Sequence, residues 1–398
     1  MKFALISKVL PPSESAHAAI IQRLLRDLDP ASYCLLSSTD YGNHSGPEYT
    51  SRLAGKFYHL PEPYQLTRGY RFGLQQIRER LNLLLAIGAR ARIIRRIIKQ
   101  ERCDAVVVCT GGREVFDFPA GYLAAKLSGK RFYAYLLDQY SHMVAYVMGN
   151  SFLRRFEPWV MRNATAVIVP NEFMRDEVKR RYGVDSVIVR NTCDVAAYEP
   201  GAELSAKETG EISIVYTGGV GPLHFDAFRN LIAAIDSLQR NDVRVHIYTL
   251  QTREQIDAAI VNAPAVVVHE HEPVSAMPDI QRRADVLFLP LAFAPDYQEI
   301  IRTAAPGKIC EYLSARRPVL VHAPADSFTS WYFREHDCGV VADANDPAVV
   351  ARALQRLIDD AELRQRVSER AWDRAQSDFD LPHAQAKFAS VLGLSAPR

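Results

Sequence analysis

The chain has 398 residues, 48% of them hydrophobic and 24% charged, with a formal net charge of +2. That length suits two α/β domains of about 150–200 residues each, and the balance excludes a disordered, collagenous or disulfide-dense protein. So small a net charge gives no electrostatic reason to expect a nucleic-acid partner.

The six cysteines, Cys34, Cys103, Cys109, Cys193, Cys310 and Cys338, form no CxxC pair and lack zinc-finger spacing. Free thiols in a reducing cytoplasm are the simplest expectation. The opening MKFALISKVLPPS is too short and too polar for a signal peptide, and no run of 18 uncharged apolar residues predicts a membrane span.

Short apolar, β-branched runs alternate with helical patterns along the chain. Strands are expected at Lys2–Ser7, Tyr33–Ser37, Asp104–Cys109, Phe132–Leu137, Ala166–Val169 and Ser186–Val189, with helices near 14–28, 72–100, 116–129, 143–162 and 171–182. The polar run DVAAYEPGAELSAKETG (194–210) has no apolar period and reads as a linker. Strands resume at Ile212–Tyr216, Val243–Tyr248, Ala265–Val268, Val286–Pro290, Pro318–Val321 and Gly339–Val341. Helices are expected near 224–239, 253–262, 275–283, 307–315, 347–359 and 361–375, and a last one near 383–394.

This order predicts an α/β protein of two Rossmann-like, doubly wound lobes with a cleft between them. The lobes span 1–193 and 211–378. The tail, 379–398, is expected to be a helix with the option of crossing back to the first lobe.

The most informative stretch is DYQEIIRTAAPGKICEYLSA (296–315), after the strand DVLFLPL. Pro306 suits the first helical position, which puts the cap on Ala305, a poor capping residue. Such a helix start leaves backbone donors for an outside acceptor. Lys308 in the first turn is disfavoured by the helix dipole unless an anion binds there. Glu311, three residues on, shares its face and can accept two hydrogen bonds from a diol such as ribose. A plain Lys–Glu pair on a solvated helix is the competing explanation.

The residues Thr303, Pro306, Lys308, Glu311, Tyr312, Leu313 and Pro318 in TAAPGKICEYLSARRPVLV resemble the nucleotide-sugar motif of family four (group 1) of the GT-B glycosyltransferases. NATAVIVPNEFMRDEV (163–178) and VIVRNTCDVAAYEP (187–200), with Asn191 and Asp194, are similar to the end of that family's first lobe. LPPSESAHAAIIQRLLRDL (10–28) resembles its first loop and helix, with Ser15-Ala16 where the family usually has paired glycines.

The resemblance implies a donor site at Gly218, Gly219, Arg302, Thr303, Pro306, Gly307, Lys308 and Glu311. Glu311 would hold the ribose, and Lys308 the diphosphate or the sugar. It implies an acceptor side at Ser13, Glu14, Ser15, His17, Gly111, Gly112 and His142, with Asp138 and Lys308 as the catalytic candidates. The competing readings are a helix cap for Asp138 and a packing role for His142.

The turn YTGGVGPLHF (216–225) lacks the arginine and Lys-Gly pair that relatives use on the diphosphate. Lys308 and Arg302 are the first candidates for that charge; His224 and Arg229 are the second.

The implied reaction breaks the bond between an anomeric carbon and a nucleoside diphosphate, stabilised by preorganised positive charge rather than a metal. The nucleoside diphosphate sugar is a co-substrate, and no cofactor is expected. If the stereochemistry is retained, as in most of the family, the leaving phosphate takes the acceptor proton. If it is inverted, Asp138 is the candidate base. Asp27-Leu28-Asp29, Asp378-Phe379-Asp380 and His269-Glu270-His271-Glu272 look like metal motifs but lack the right context.

Residues 67–102 carry ten basic and two acidic residues, with Leu81, Leu84, Leu85, Ile87, Ile94, Ile97 and Ile98 among them. A basic amphipathic helix fits an anionic membrane surface, and so a saccharide or lipid-linked acceptor at the inner face of the plasma membrane. An ordinary lobe helix fits too. Two other readings remain: a sugar-nucleotide epimerase of the same fold, and a non-catalytic sugar-nucleotide binding module.

Overall fold

A computed structural model describes residues 1–13, 15–41, 52–62, 75–111, 116–140, 151–199, 210–260, 263–270 and 272–394, leaving aside the side chains of 75–77, 79 and 151–155. The chain divides into two compact units. One is Met1–Arg190 with Pro382–Arg398, and the other is Asn191–Leu381.

The described strands of the first unit are β1 (Phe3–Ile6), β2 (Tyr33–Ser37), β3 (Lys56–His59), β4 (Ala105–Thr110), β5 (Arg131–Leu136), β6 (Ala166–Val169) and β7 (Ser186–Ile188). They form one sheet in the order β3-β2-β1-β4-β5-β6-β7, and every pair is parallel. β4, AVVVCT, is buried along its whole length. A central parallel strand is covered on both faces, so its sequence is a continuous apolar run rather than an alternating one.

Helices Ala16–Leu25, Gln75–Gln100, Asp117–Leu127, Ser151–Asn163 and Glu172–Tyr182 follow the strands. The last is bounded by local chemistry. Asn171 accepts from the Met174 N–H at 2.8 Å, and Gly183 ends it in the left-handed conformation at φ 72°.

The second unit has β8 (Ile212–Thr217), β9 (Val243–Tyr248), β10 (Val266–His269), β11 (Val286–Pro290), β12 (Val319–His322) and β13 (Val340–Ala342), all parallel, in the order β10-β9-β8-β11-β12-β13. Its core joins Tyr216, Phe228, Phe288, Leu320 and Leu354.

Three expectations are corrected. The first unit ends at Arg190, three residues before the expected boundary. Asn191 and Cys193 are tied into the second unit, where the Asn191 amide donates to the Ala305 carbonyl at 2.8 Å and Cys193 is disulfide-bonded to Cys310. That disulfide overturns the expectation of free thiols throughout, because the two cysteines are 117 residues apart in sequence and only 5.8 Å apart at Cα. The start of the expected linker is a 3-10 turn, Val195–Tyr198, whose Tyr198 hydroxyl donates to Gln281 at 2.7 Å. The C-terminal helix, Leu381–Leu392, places Ala384, Phe388 and Leu392 in the core of the first unit.

Candidate active site

β8 and β11 are neighbours, so the turn after the first and the helix beyond the second come together. Gly218, after β8, has φ 120°, a conformation that suits glycine alone. A Cβ at Gly218 would lie 2.8 Å from Nζ of Lys308. The Lys308 ammonium therefore rests on the turn itself, 5.0 Å from the centre of the Tyr216 ring.

Tyr312, one turn along the helix Lys308–Ser314, is fully buried, and its hydroxyl accepts from the Thr217 N–H at 3.1 Å. Glu311, three residues from Lys308 on the same helix, is half-buried.

Side chains that the sequence reading missed brace this turn. The Gln251 amide accepts from the Val220 N–H at 2.7 Å and donates to the Val220 carbonyl at 3.0 Å. Tyr216 donates to the Gly219 carbonyl at 2.7 Å. Buried Gln281 donates to the Thr217 hydroxyl at 3.0 Å. No local motif marks either glutamine; only the tertiary contact does.

Several expected donor residues have other roles. The helix cap is Gly307, not Ala305, and Pro306 lies before the helix, where its carbonyl accepts from the Ile309 N–H at 3.0 Å. The cap still carries no side-chain hydrogen bond, so the helix start remains suited to an outside acceptor. Thr303 is 1% exposed, and its hydroxyl donates to the Ile300 carbonyl at 3.5 Å. Arg302 stands half-buried in the last turn of Gln298–Thr303.

Arg229 donates to the carbonyls of Ala259 and Ile260, capping another helix. His224 is neutral: burial, then the nearby Lys308 charge, pushes its pKa down to about 3, and its Nδ1 accepts from the Gly221 N–H at 3.2 Å. Neither second-rank candidate therefore brings positive charge to the turn.

In the first unit, β1, β4 and β5 are consecutive in the sheet, so the residues just beyond their carboxyl ends meet. A Cβ at Gly111 would lie 3.0 Å from Nδ1 of His17 and 3.9 Å from Oδ2 of Asp138. His17 Nε2 is 3.1 Å from the Ser7 hydroxyl and 3.4 Å from the Cys109 sulfur.

Ser15 is the cap of Ala16–Leu25, accepting from the Ala18 N–H at 3.2 Å, and the Ser13 hydroxyl accepts from the Ser15 N–H at 3.4 Å. These two serines shape the entry into the helix that carries His17. Glu14, Gly112 and His142 lie outside the described residues.

Burial pushes the His17 pKa down to about 4. The unfolded chain then binds this proton more readily between about pH 6.5 and 4, so stability falls as pH drops through that window. Each such histidine contributes a slope of up to about 1.4 kcal/mol per pH unit. His17→Gln is expected to make the fall of Tm from pH 7 to 4 shallower; an unchanged slope would refute the burial argument.

Three residues of the metal-like motifs make side-chain contacts of their own. Asp27 accepts from the Gln385 amide at 2.8 Å, Asp378 accepts from the Tyr332 hydroxyl at 2.6 Å, and His269 Nε2 is 2.8 Å from His246 Nδ1. Among the described residues, no three His, Cys, Asp or Glu side chains converge as a metal site would require.

The family model for glycosyl transferases group 1 matches residues 211–360, and that for glycosyltransferase family 4 matches residues 49–197. A glycogen synthase of Mycobacterium tuberculosis is 26% identical over 255 residues, or 61% of this chain and 57% of the relative. The chain thus spans little more than half the length of the curated relatives it matches. Among solved structures, Anabaena HepE in complex with UDP-glucose superposes with a TM-score of 0.70 at 13% identity over 99% of both chains. WaaG, a glycosyltransferase involved in lipopolysaccharide biosynthesis, superposes with a TM-score of 0.64 at 14% identity over 98% of this chain and 99% of WaaG. Two all-parallel sheets with interleaved helices show that the chain has the GT-B fold of these solved structures, and the segments on either side of residue 200 each match a glycosyltransferase family model.

Proposed function

We propose that the protein transfers a sugar from a nucleoside diphosphate sugar to a saccharide or lipid-linked acceptor, without a metal or other cofactor and with retention at the anomeric carbon. The observation that carries this reading is the Lys308 ammonium resting on the Gly218 turn. As the glycosidic bond to the diphosphate breaks, negative charge grows on the leaving phosphate. A fixed ammonium beside backbone N–H groups stabilises that charge more in the transition state than in the ground state. Under retention, the leaving phosphate oxygen takes the acceptor proton. Asp138 and the neutral His17, on either side of Gly111, then hold acceptor hydroxyls rather than acting as an obligatory base.

HepE, of the same fold, was solved with UDP-glucose and with UDP, so uridine nucleotides are the first probes. Calorimetry is expected to show saturable UDP-glucose binding that EDTA leaves unchanged. Glu311→Ala is expected to weaken it roughly 10–100-fold through loss of a carboxylate hydrogen bond to the ribose. Failure of UDP-, ADP- and GDP-sugars alike to bind would refute the donor site.

The acceptor side is proposed to work at the cytoplasmic face of the plasma membrane. Of the apolar residues in 67–102, Ile87, Ile94, Ile97 and Ile98 are buried, whereas Leu81, Leu84 and Leu85 are about half exposed on the helix that also exposes Arg80, Arg92 and Arg96. No helix among the described residues is long and apolar enough to cross a membrane. A surface contact through those leucines predicts co-sedimentation with vesicles rich in anionic lipid, reduced at least threefold by Leu84→Glu with Leu85→Glu; equal partitioning would exclude it.

A further inference from the structure

The second unit holds a cavity of about 500 Å³ that the donor site does not use. Asp285, just before β11, and Arg317, just before β12, line it, so it opens at the amino ends of the strands. Gly218 lies at the opposite end of the six-residue β8, roughly 20 Å away along the strand direction. The facing wall is the helix Ala361–Asp378, which contributes Arg364, Gln365, Ser368, Glu369, Trp372 and Asp373. Their spacing of three, four and eight residues places them along one helix face over roughly 13 Å.

The chemistry of this wall excludes most ligand classes. Arg316, Arg317 and Arg364 are balanced by Asp285, Glu369 and Asp373, so the lining has no net charge to attract a phosphate or a polyanion. Two of the arginines are also engaged elsewhere. Arg364 donates to the carbonyls of Leu357 and Ile358 at 2.8 and 2.7 Å, and Arg317 donates to the Arg282 carbonyl. Charged side chains spread over both walls do not suit an acyl chain.

A flat aromatic ring flanked by carboxylates, a guanidinium and an amide does suit one class: a neutral ligand with an apolar C–H face and many hydroxyls. The Gln365 amide already donates to Glu369 at 2.9 Å, so the remaining carboxylate lone pairs would accept from hydroxyls, the remaining N–H groups would donate to them, and the ring face clear of Arg316 would cover the C–H face. Arg316 and Trp372 are also held in place. The guanidinium lies 3.9 Å from the ring centre, and the Arg316 backbone is kept in the left-handed region at φ 53°. That φ is the usual left-handed termination of the helix Lys308–Ser314.

We propose that this cavity is a second carbohydrate site, binding a neutral oligosaccharide at the end of the sheet opposite the donor turns. A growing acceptor chain gripped there stays near the enzyme between transfers, as in any two-point attachment. The role in transfer rests on the glycosyltransferase reading, whereas the binding itself does not.

The test uses the full chain and saturation-transfer NMR with maltoheptaose, cellohexaose and mannohexaose, with UDP titrated separately. At least one oligosaccharide is expected to bind, with Kd raised at least tenfold by Trp372→Ala and restored to within threefold by Trp372→Phe. Glu369→Gln, an exposed substitution, is expected to weaken binding severalfold. UDP affinity should be the same in all variants, which also reports that this unit is folded. No binding by any of the three glycans, or equal binding by Trp372→Ala, overturns the proposal. If the glycans bind and no nucleotide does, the donor reading fails while this site stands.

Discussion

Lys308→Met is expected to lower kcat/KM for the nucleotide-sugar donor by about 10²–10³-fold, with the melting temperature within about 2 °C of wild type. The size follows from what one preorganised donor contributes opposite a developing oxyanion, about 2.7–4 kcal/mol. Methionine keeps an unbranched stem over Tyr216 and removes only the charge, so the loss reads electrostatics rather than packing.

Gly218→Ala gives an independent check. Its backbone is at φ 120°, and its new Cβ would lie 2.8 Å from the ammonium, so Lys308 must move. The two variants should share one phenotype: kcat falls more than KM rises. Wild-type turnover in Lys308→Met would remove the proposed source of leaving-group stabilisation.

The second large effect concerns stability. Asp117→Ala is expected to destabilise the first unit by about 3–5 kcal/mol, or roughly 6–20 °C in its melting temperature. Arg90 Nε is 3.3 Å from Asp117 Oδ1, and the two side chains are 1% and 5% exposed. Removing the carboxylate leaves a buried guanidinium without its counter-charge, which costs far more than an exposed ion pair is worth. Replacing both, as Arg90→Met with Asp117→Leu, should recover most of the loss, because a packed apolar pair needs no compensation. Calorimetry of the two variants against wild type checks this, and a double variant no more stable than Asp117→Ala would show that the pair is not the cause.

The buried strands were legible because a central parallel strand is written as an unbroken apolar run. Tyr33–Ser37, Ala166–Val169 and Val286–Pro290 fall where the sequence puts them, as does Val243–Tyr248, which instead alternates buried and half-buried residues. β3, KFYH, was not legible: it is a sheet-edge strand with two exposed and two half-buried residues, so no apolar run marks it. The helix Phe328–Glu335, FTSWYFRE, was missed because four aromatic residues among eight carry strand propensity and tertiary burial overrides it.

The helix that carries Lys308 and Glu311 was legible because a helix start has local grammar, although its cap falls on Gly307 rather than Ala305. Strand order has none. The meeting of Gly111, His17 and Asp138 depends on β1, β4 and β5 being neighbours, and the contact of Lys308 with Gly218 on β8 lying beside β11. Charge was misjudged for a related reason. Arg229 and His224 are basic on paper, but one is engaged at a helix end and the other is kept neutral by burial.

The chain leaves the first unit after Arg190 and returns to it at Pro382. There Phe388 stacks edge-on against Phe3 at 6.4 Å, and the Gln385 amide donates to the Arg23 carbonyl at 2.8 Å. Residues 1–190 and 382–398 are therefore parts of one body, and the second unit is an insertion within it. A ribosome delivers Phe3 long before Phe388, so the first sheet must wait for the entire second unit to be synthesised before one of its faces can close.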